Sequence, residues 1–98
     1  MLVRFAKAEL GRLEAESGFT AGFHPDIVTA YRKRLQQLRS VTDERDLYAL
    51  RSLHFKKLKG DRSHQRSVRL NDQWRLIIEV EEGTTGNTLV LIGIEDYH

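Results

Sequence analysis

The chain predicts an α+β fold, with N-terminal helices packed on one face of a small antiparallel sheet. Three observations carry that expectation. Ile27, Tyr31, Leu35 and Leu38 recur at helical spacing in the first half, apolar residues alternate with a period of two from Val68 to Val80, and Thr88–Ile94 is apolar on both faces. Helices followed by a run of hairpin-linked strands predict layers, with the helices on one side of the sheet. Ninety-eight residues leave room for one core, so residues 1–98 are expected to form a single domain.

Taken in order, Leu2-Val3-Arg4-Phe5 reads as an opening strand. A first helix is expected from Ala6 to about Ser17, with Leu10 and Leu13 on one side, and Gly18 ends it. Phe19 and Phe23 bracket a linker and should pack inward. Pro25 suits the first position of a second helix, where its missing N–H costs nothing, and the amphipathic pattern runs on to about Arg39. Thr42 can cap a short third helix, with Asp43 and Glu44 complementing its dipole and Leu47 and Leu50 turned inward. Residues 54–64 read as a polar, basic connection around Lys59-Gly60-Asp61.

Two strands follow, at 66–70 and 74–80, and their register has two solutions. A two-residue loop would put Arg75 on the apolar face. A three-residue loop, Asn71-Asp72-Gln73, pairs Val68 with Leu76 and Leu70 with Trp74, and sets Arg69 opposite Arg75 on the other face. Register follows the face that must be buried, so the three-residue loop is expected. Like charges placed opposite each other destabilise a sheet. The pair makes sense if a phosphate sits between the two arginines, or if Glu79 or a terminal carboxylate neutralises them. Residues 82–87 form the next turn, and Thr88–Ile94 should be an interior strand leading to Glu95-Asp96-Tyr97-His98.

The charge is unevenly spread. Residues 51–75 hold eight basic side chains and two acidic ones, whereas residues 76–98 hold five acids and no Lys or Arg. Such a local excess is the footprint of a polyanion binder, although a solvated basic face looks the same in sequence. Zero Cys rules out a disulfide framework and thiolate metal sites and suits a reducing cytoplasm, the expected location. No apolar run approaches the ~18 residues of a membrane span, and no membrane association is expected.

His24, His54, His64 and His98 are scattered without metal-ligand spacing, so no metal site is expected. No phosphate-binding glycine loop, dinucleotide fingerprint or nucleophile elbow is present, so no small-molecule cofactor is expected. A basic surface with Tyr97 and His98 is nevertheless the toolkit of metal-free RNA cleavage. Attack of a 2′-hydroxyl on its phosphate needs a base, an acid and cations for the phosphorane. Arg serves the last role through its planar fork, and His, titrating near about 6.5, serves as acid or base. Asp96 could orient His98, and Tyr97 could stack on a base. The plainer readings are a frayed terminal His, a Tyr97 that closes the core, and solvated charges at Lys56, Lys57 and Arg62 that attract RNA without chemistry.

LKGDR at 58–62, SVRLNDQWRL at 67–76 and the final EDYH at 95–98 together resemble the HigB-like plasmid-maintenance killer toxins of the RelE/ParE superfamily. The resemblance implies the RelE-like microbial ribonuclease fold and the toxin of a type II toxin–antitoxin system. Its implied activity is ribosome-dependent endoribonucleolytic cleavage of mRNA during translation, without metal. The implied partners are a cognate HigA-like helix-turn-helix antitoxin and mRNA on the ribosome. The resemblance carries catalytic roles to Arg75, Asp96, Tyr97 and His98, and RNA- or phosphate-binding roles to Lys59 and Arg69. His54 resembles an upstream family histidine, and Lys57 and Arg62 join the RNA-binding set from the basic cluster. Two other functions fit the same chain: a ParE-like inhibitor of DNA gyrase without nuclease activity, and a non-catalytic RNA- or ribosome-binding module. The terminal Asp-Tyr-His separates them, because a protein acting purely by binding gyrase has no chemical need for it.

Overall fold

A computed structural model of the chain describes residues 1–97. The elements are β1 (Leu2–Phe5), α1 (Ala8–Ala15), α2 (Pro25–Ser40), α3 (Glu44–Ala49), β2 (Lys56–Lys57), β3 (Gln65–Arg69), β4 (Trp74–Glu81) and β5 (Thr88–Asp96), with 3-10 turns at Arg51–Leu53 and Gly60–Arg62. Three helices pack on one face of a five-stranded sheet, an α+β fold.

The sheet order is β1-β5-β4-β3-β2. Strands β3 to β5 pair antiparallel, as expected, and the unexpected β2 pairs antiparallel with β3, but β1 lies parallel to β5, with Leu2 opposite Thr88 and Phe5 opposite Leu91. The sheet is therefore mixed. Side-chain alternation carries no strand direction, which explains why a wholly antiparallel sheet was the expectation. β5 sits between β1 and β4, and its place inside the sheet accounts for a sequence apolar on both faces.

The third helix starts one residue later than its Thr42 cap would put it. Asp43 is the N-cap, its side chain accepting from the Arg45 backbone N–H. That bond, joined by the Arg45 side chain, holds the Asp43 carboxyl below its ordinary range. At α2 the cap is His24, whose Nδ1 accepts from Asp26 N–H at 3.1 Å, a function sequence spacing does not signal. The edge strand β2 was hidden in the polar connection because two residues are too few to show a period.

The core lies between the helices and one sheet face. Leu10 and Leu13 of α1, the Ile27–Tyr31–Leu35–Leu38 stripe of α2, and Leu47 meet Val68, Leu70, Leu76, Ile78, Leu89 and Leu91 from the sheet. Phe19, Phe23 and Leu50 pack against its margin, half-buried. Phe23 meets Trp74 edge to face at 5.7 Å, tying the α1–α2 linker to the start of β4. No helix is long and apolar enough to cross a membrane.

Among the described residues, Tyr31 is the polar-tipped side chain fully inside this core, and its hydroxyl donates to the Leu10 carbonyl at 2.8 Å. Burial first, and then the charge of Glu14, raises its pKa above the ordinary phenol value. Tyr31→Phe removes this buried hydrogen bond, and urea denaturation at neutral pH should show a loss of about 0.5–1.5 kcal/mol. Because the folded-state value is the raised one, Tyr31's contribution is intact below the unfolded pKa of about 10 and is lost as pH rises above it. The deficit of the Phe variant should therefore narrow above that pH. A deficit that stays constant or widens would contradict the burial argument.

Candidate functional site

The hairpin β3–β4 positions the site. Its register sets Val68 opposite Leu76 and Arg69 opposite Arg75, and the Leu70 N–H closes on the Trp74 carbonyl at 2.9 Å. This is the three-residue connection. Asn71 shapes it, its Oδ1 accepting from the N–H groups of Gln73 and Trp74 at 2.8 and 2.7 Å. Residues directly opposite in an antiparallel ladder share a face. Lys56, Ser67, Ile77 and Gly93 therefore form one row across β2 to β5, and Arg69, Arg75 and Glu95 form the next. This is the face away from the helices.

A cleft of about 290 Å³ opens there, lined by Leu58, Lys59, Arg62, Arg75, Ile77, Glu95, Asp96 and Tyr97. Ile77, only 2% exposed, contributes an apolar wall. The loop after β2 supplies Lys59 and Arg62, and Gly60 turns it with φ +65°, a conformation costly for any other residue. The end of β5 supplies Glu95 and Asp96.

Tyr97 continues the ladder one step beyond β5, its N–H donating to the Gln73 carbonyl at 2.6 Å. Tyr97 is 48% exposed, so it does not close the core. The Arg75 guanidinium lies 3.5 Å from the ring centroid, and Lys56 Nζ approaches at 5.4 Å. Asp96 accepts from Gln73 Nε2 at 3.1 Å. His98 lies outside the described residues.

Arg69 and Arg75 stand side by side in the ladder, and each meets a protein group other than Glu79. Their side chains diverge. Arg69 forms an ion pair with Asp72 of the hairpin loop and lies 3.5 Å from His54 Nε2. Arg75 lies over Tyr97 and donates weakly to Ser67 Oγ at 3.4 Å. Glu79 is occupied elsewhere, accepting from Gln65 and lying 3.7 Å from His64. Glu95, near the end of β5, takes Arg62, with both oxygens within 2.9 Å of the guanidinium.

His54 adopts a left-handed conformation, φ 46°, just after the 3-10 turn at Arg51–Leu53. In this conformation, uncommon for residues other than Gly, Asn, Asp and His, its ring lies beside the Arg69 guanidinium. Behind them Arg34 of α2 donates to the Arg69 carbonyl at 3.0 Å, and burial, followed by the charge of Arg69, lowers its pKa. The predicted residues thus form two neighbouring groups. Lys59, Arg62, Arg75, Asp96 and Tyr97 share the cleft, while His54 and Arg69 sit beyond its edge.

Lys57 belongs to neither. It pairs with Arg66, which bonds Glu44 of α3, so strand alternation turns it to the helix side. Of the two β2 lysines, Lys56 lies on the cleft side of the sheet. Two residues show no period, so only the pairing of Lys56 with Ser67 assigns it to that face. Arg34 carried no signal either, because its contact is to a backbone 35 residues away. Among the described residues, no three His, Asp or Glu side chains group as metal ligands.

A family model described as the RelE-like toxin of the type II toxin–antitoxin system HigB matches residues 4–98. The chain belongs to that family. The toxin also matches a solved structure, the YoeB/ParE toxin from Agrobacterium tumefaciens, at TM-score 0.59 and 16% identity over 100% of both chains. Likeness at that identity speaks for the fold. No curated protein matches the toxin. A type II toxin is defined by its antitoxin, so an antitoxin is a partner of this chain.

The Arg75–Tyr97 contact has a measurable strength. A double-mutant cycle with Arg75→Ala and Tyr97→Ala, read by urea denaturation, should give a coupling of about 0.5–1 kcal/mol, as for a partly exposed cation–π pair. Strict additivity of the two single effects would remove the contact from the site's construction.

Proposed function

We propose that this toxin is a ribosome-dependent endoribonuclease that cleaves mRNA without metal, held in check by a HigA-like helix-turn-helix antitoxin in the cytoplasm. The observation that carries the reading is the convergence of Lys59, Arg62, Arg75, Asp96 and Tyr97 on one cleft from three separate segments. Cations alone would suit any polyanion. Cations beside a carboxylate and a phenol suit phosphoryl chemistry.

The step is in-line attack of a ribose 2′-hydroxyl on the adjacent phosphorus. The P–O bond to the 2′-oxygen forms as the bond to the 5′-oxygen breaks, leaving a 2′,3′-cyclic phosphate and a 5′-hydroxyl. Arg75 binds the scissile phosphate and stabilises the phosphorane, and Tyr97, stacked against the guanidinium, fixes the plane of its fork. Asp96 and His98 exchange the two protons, one accepting from the 2′-hydroxyl and one donating to the leaving 5′-oxygen. Such help is typically worth ~10²–10⁴-fold. Lys59 and Arg62 hold neighbouring phosphates, and Arg69 with His54 receives the strand as it leaves the cleft.

Brief induction of the wild-type chain, with mapping of new mRNA 5′ ends, tests this reading. New ends should appear inside translated frames and vanish when ribosomes are blocked. Arg75→Ala should lower their yield by about 10²–10³-fold, the usual cost of removing one transition-state donor. Deletion of His98 should abolish them. Growth arrest with intact mRNA would overturn the nuclease reading and point to gyrase inhibition. The cleft face gives a finer comparison. Lys56→Ala should weaken RNA binding and flatten its salt dependence by about 0.7 log units per log unit of salt, the slope of one single-strand phosphate contact. Lys57→Ala should leave that slope unchanged.

A further inference from the structure

The ion pair across the mouth of the cleft is placed where a ligand would be. Arg62, on the loop after β2, and Glu95, near the end of β5, both line the cleft. Arg62 Nη1 and Nη2 donate to the two oxygens of Glu95 at 2.9 and 2.8 Å, while its Nε is held by Gln65 Oε1 at 2.8 Å. A carboxylate gripped by both terminal nitrogens of a guanidinium reproduces the way that fork grips phosphate. In the ladder Glu95 stands opposite Arg75, yet its carboxylate reaches across to Arg62.

The pair is also weak enough to be exchanged. Its side chains are 45% and 44% exposed, so solvent screens the attraction and offers the separated charges their hydration back. A phosphate arriving with an RNA strand already bound at Arg75 meets Arg62 at high local concentration. Glu95, a single flexible carboxylate, competes for the same two donors.

We infer that Arg62 forms a second phosphate subsite in the cleft, and that Glu95 is an internal competitor that occupies this subsite until an RNA phosphate displaces it. Glu95 then sets how tightly RNA is held and keeps the fork oriented between encounters through its joint grip with Gln65. It is a positioning residue and takes no proton. The inference rests on RNA being the ligand of the cleft.

The test measures binding of a short fluorescent 2′-O-methyl oligoribonucleotide, which cannot be cleaved, to the purified chain by anisotropy. Wild type, Glu95→Gln, Arg62→Ala and the double variant are compared at fixed salt, with thermal melting to establish folding of each. Glu95→Gln should tighten binding roughly two- to fivefold, the strength of a half-exposed ion pair. Arg62→Ala should weaken it, and the double variant should bind no tighter than Arg62→Ala alone. Unchanged or weaker binding by a folded Glu95→Gln overturns the inference. Tightening that persists without Arg62 overturns it too, since Glu95 would then act only through the general charge of the cleft. Absence of binding by all four proteins would instead overturn the RNA reading itself.

Discussion

The pairing of β3 with β4 governs most of what surrounds it. Val68, Leu70, Leu76 and Ile78 must all reach the helix-side core, and only one register lets them do so together. A slip of one residue would drive Arg75 among leucines and expose the apolar row. Burying a guanidinium without a partner costs far more than any loop preference. The same requirement that fills the core therefore delivers Arg69 and Arg75 to the outer face. Their juxtaposition is a consequence of the core.

What happens to those arginines is settled locally. Neighbouring like charges in a sheet separate when other groups can receive them. Asp72 sits three residues from Arg69 in the hairpin loop and takes it, while the ring of Tyr97 receives Arg75. The ring leaves the charge available in a way a carboxylate would not, because attraction to the π face does not consume the fork's in-plane N–H donors. Glu95 and Arg62 show the contrasting arrangement, a fork already filled by a carboxylate. The cleft thus holds one guanidinium stacked on an aromatic ring and one paired with a carboxylate.

The helices have a supporting part in this face. Arg34, from the polar side of α2, reaches past the core to the backbone of β3, and Glu44 of α3 holds Arg66 on the helix side. The long second helix thereby steadies the strand that carries Arg69, with Tyr31 anchoring that helix to α1 through a buried hydrogen bond. The sheet face that carries the charged cleft is thereby braced from behind.

Much of this was legible in the chain alone. The α2 stripe, the alternation in β3 and β4, the three-residue hairpin and the interior character of β5 all follow from which residues must leave water, and hydrophobic periodicity records that directly. The blocks at 58–62, 67–76 and 95–98 carried the family, which the match over residues 4–98 establishes. Other features belong to tertiary structure. The parallel seating of β1 beside β5 depends on the path of the helices, since alternation is blind to strand direction. Lys56 rather than Lys57 lies on the cleft side of the sheet because a two-residue strand takes its phase from its neighbour. The partners of Arg62, Arg69 and Arg75 were undecidable from sequence, because several carboxylates lay within plausible reach. Only the folded geometry ranks those distances, and electrostatic attraction follows distance.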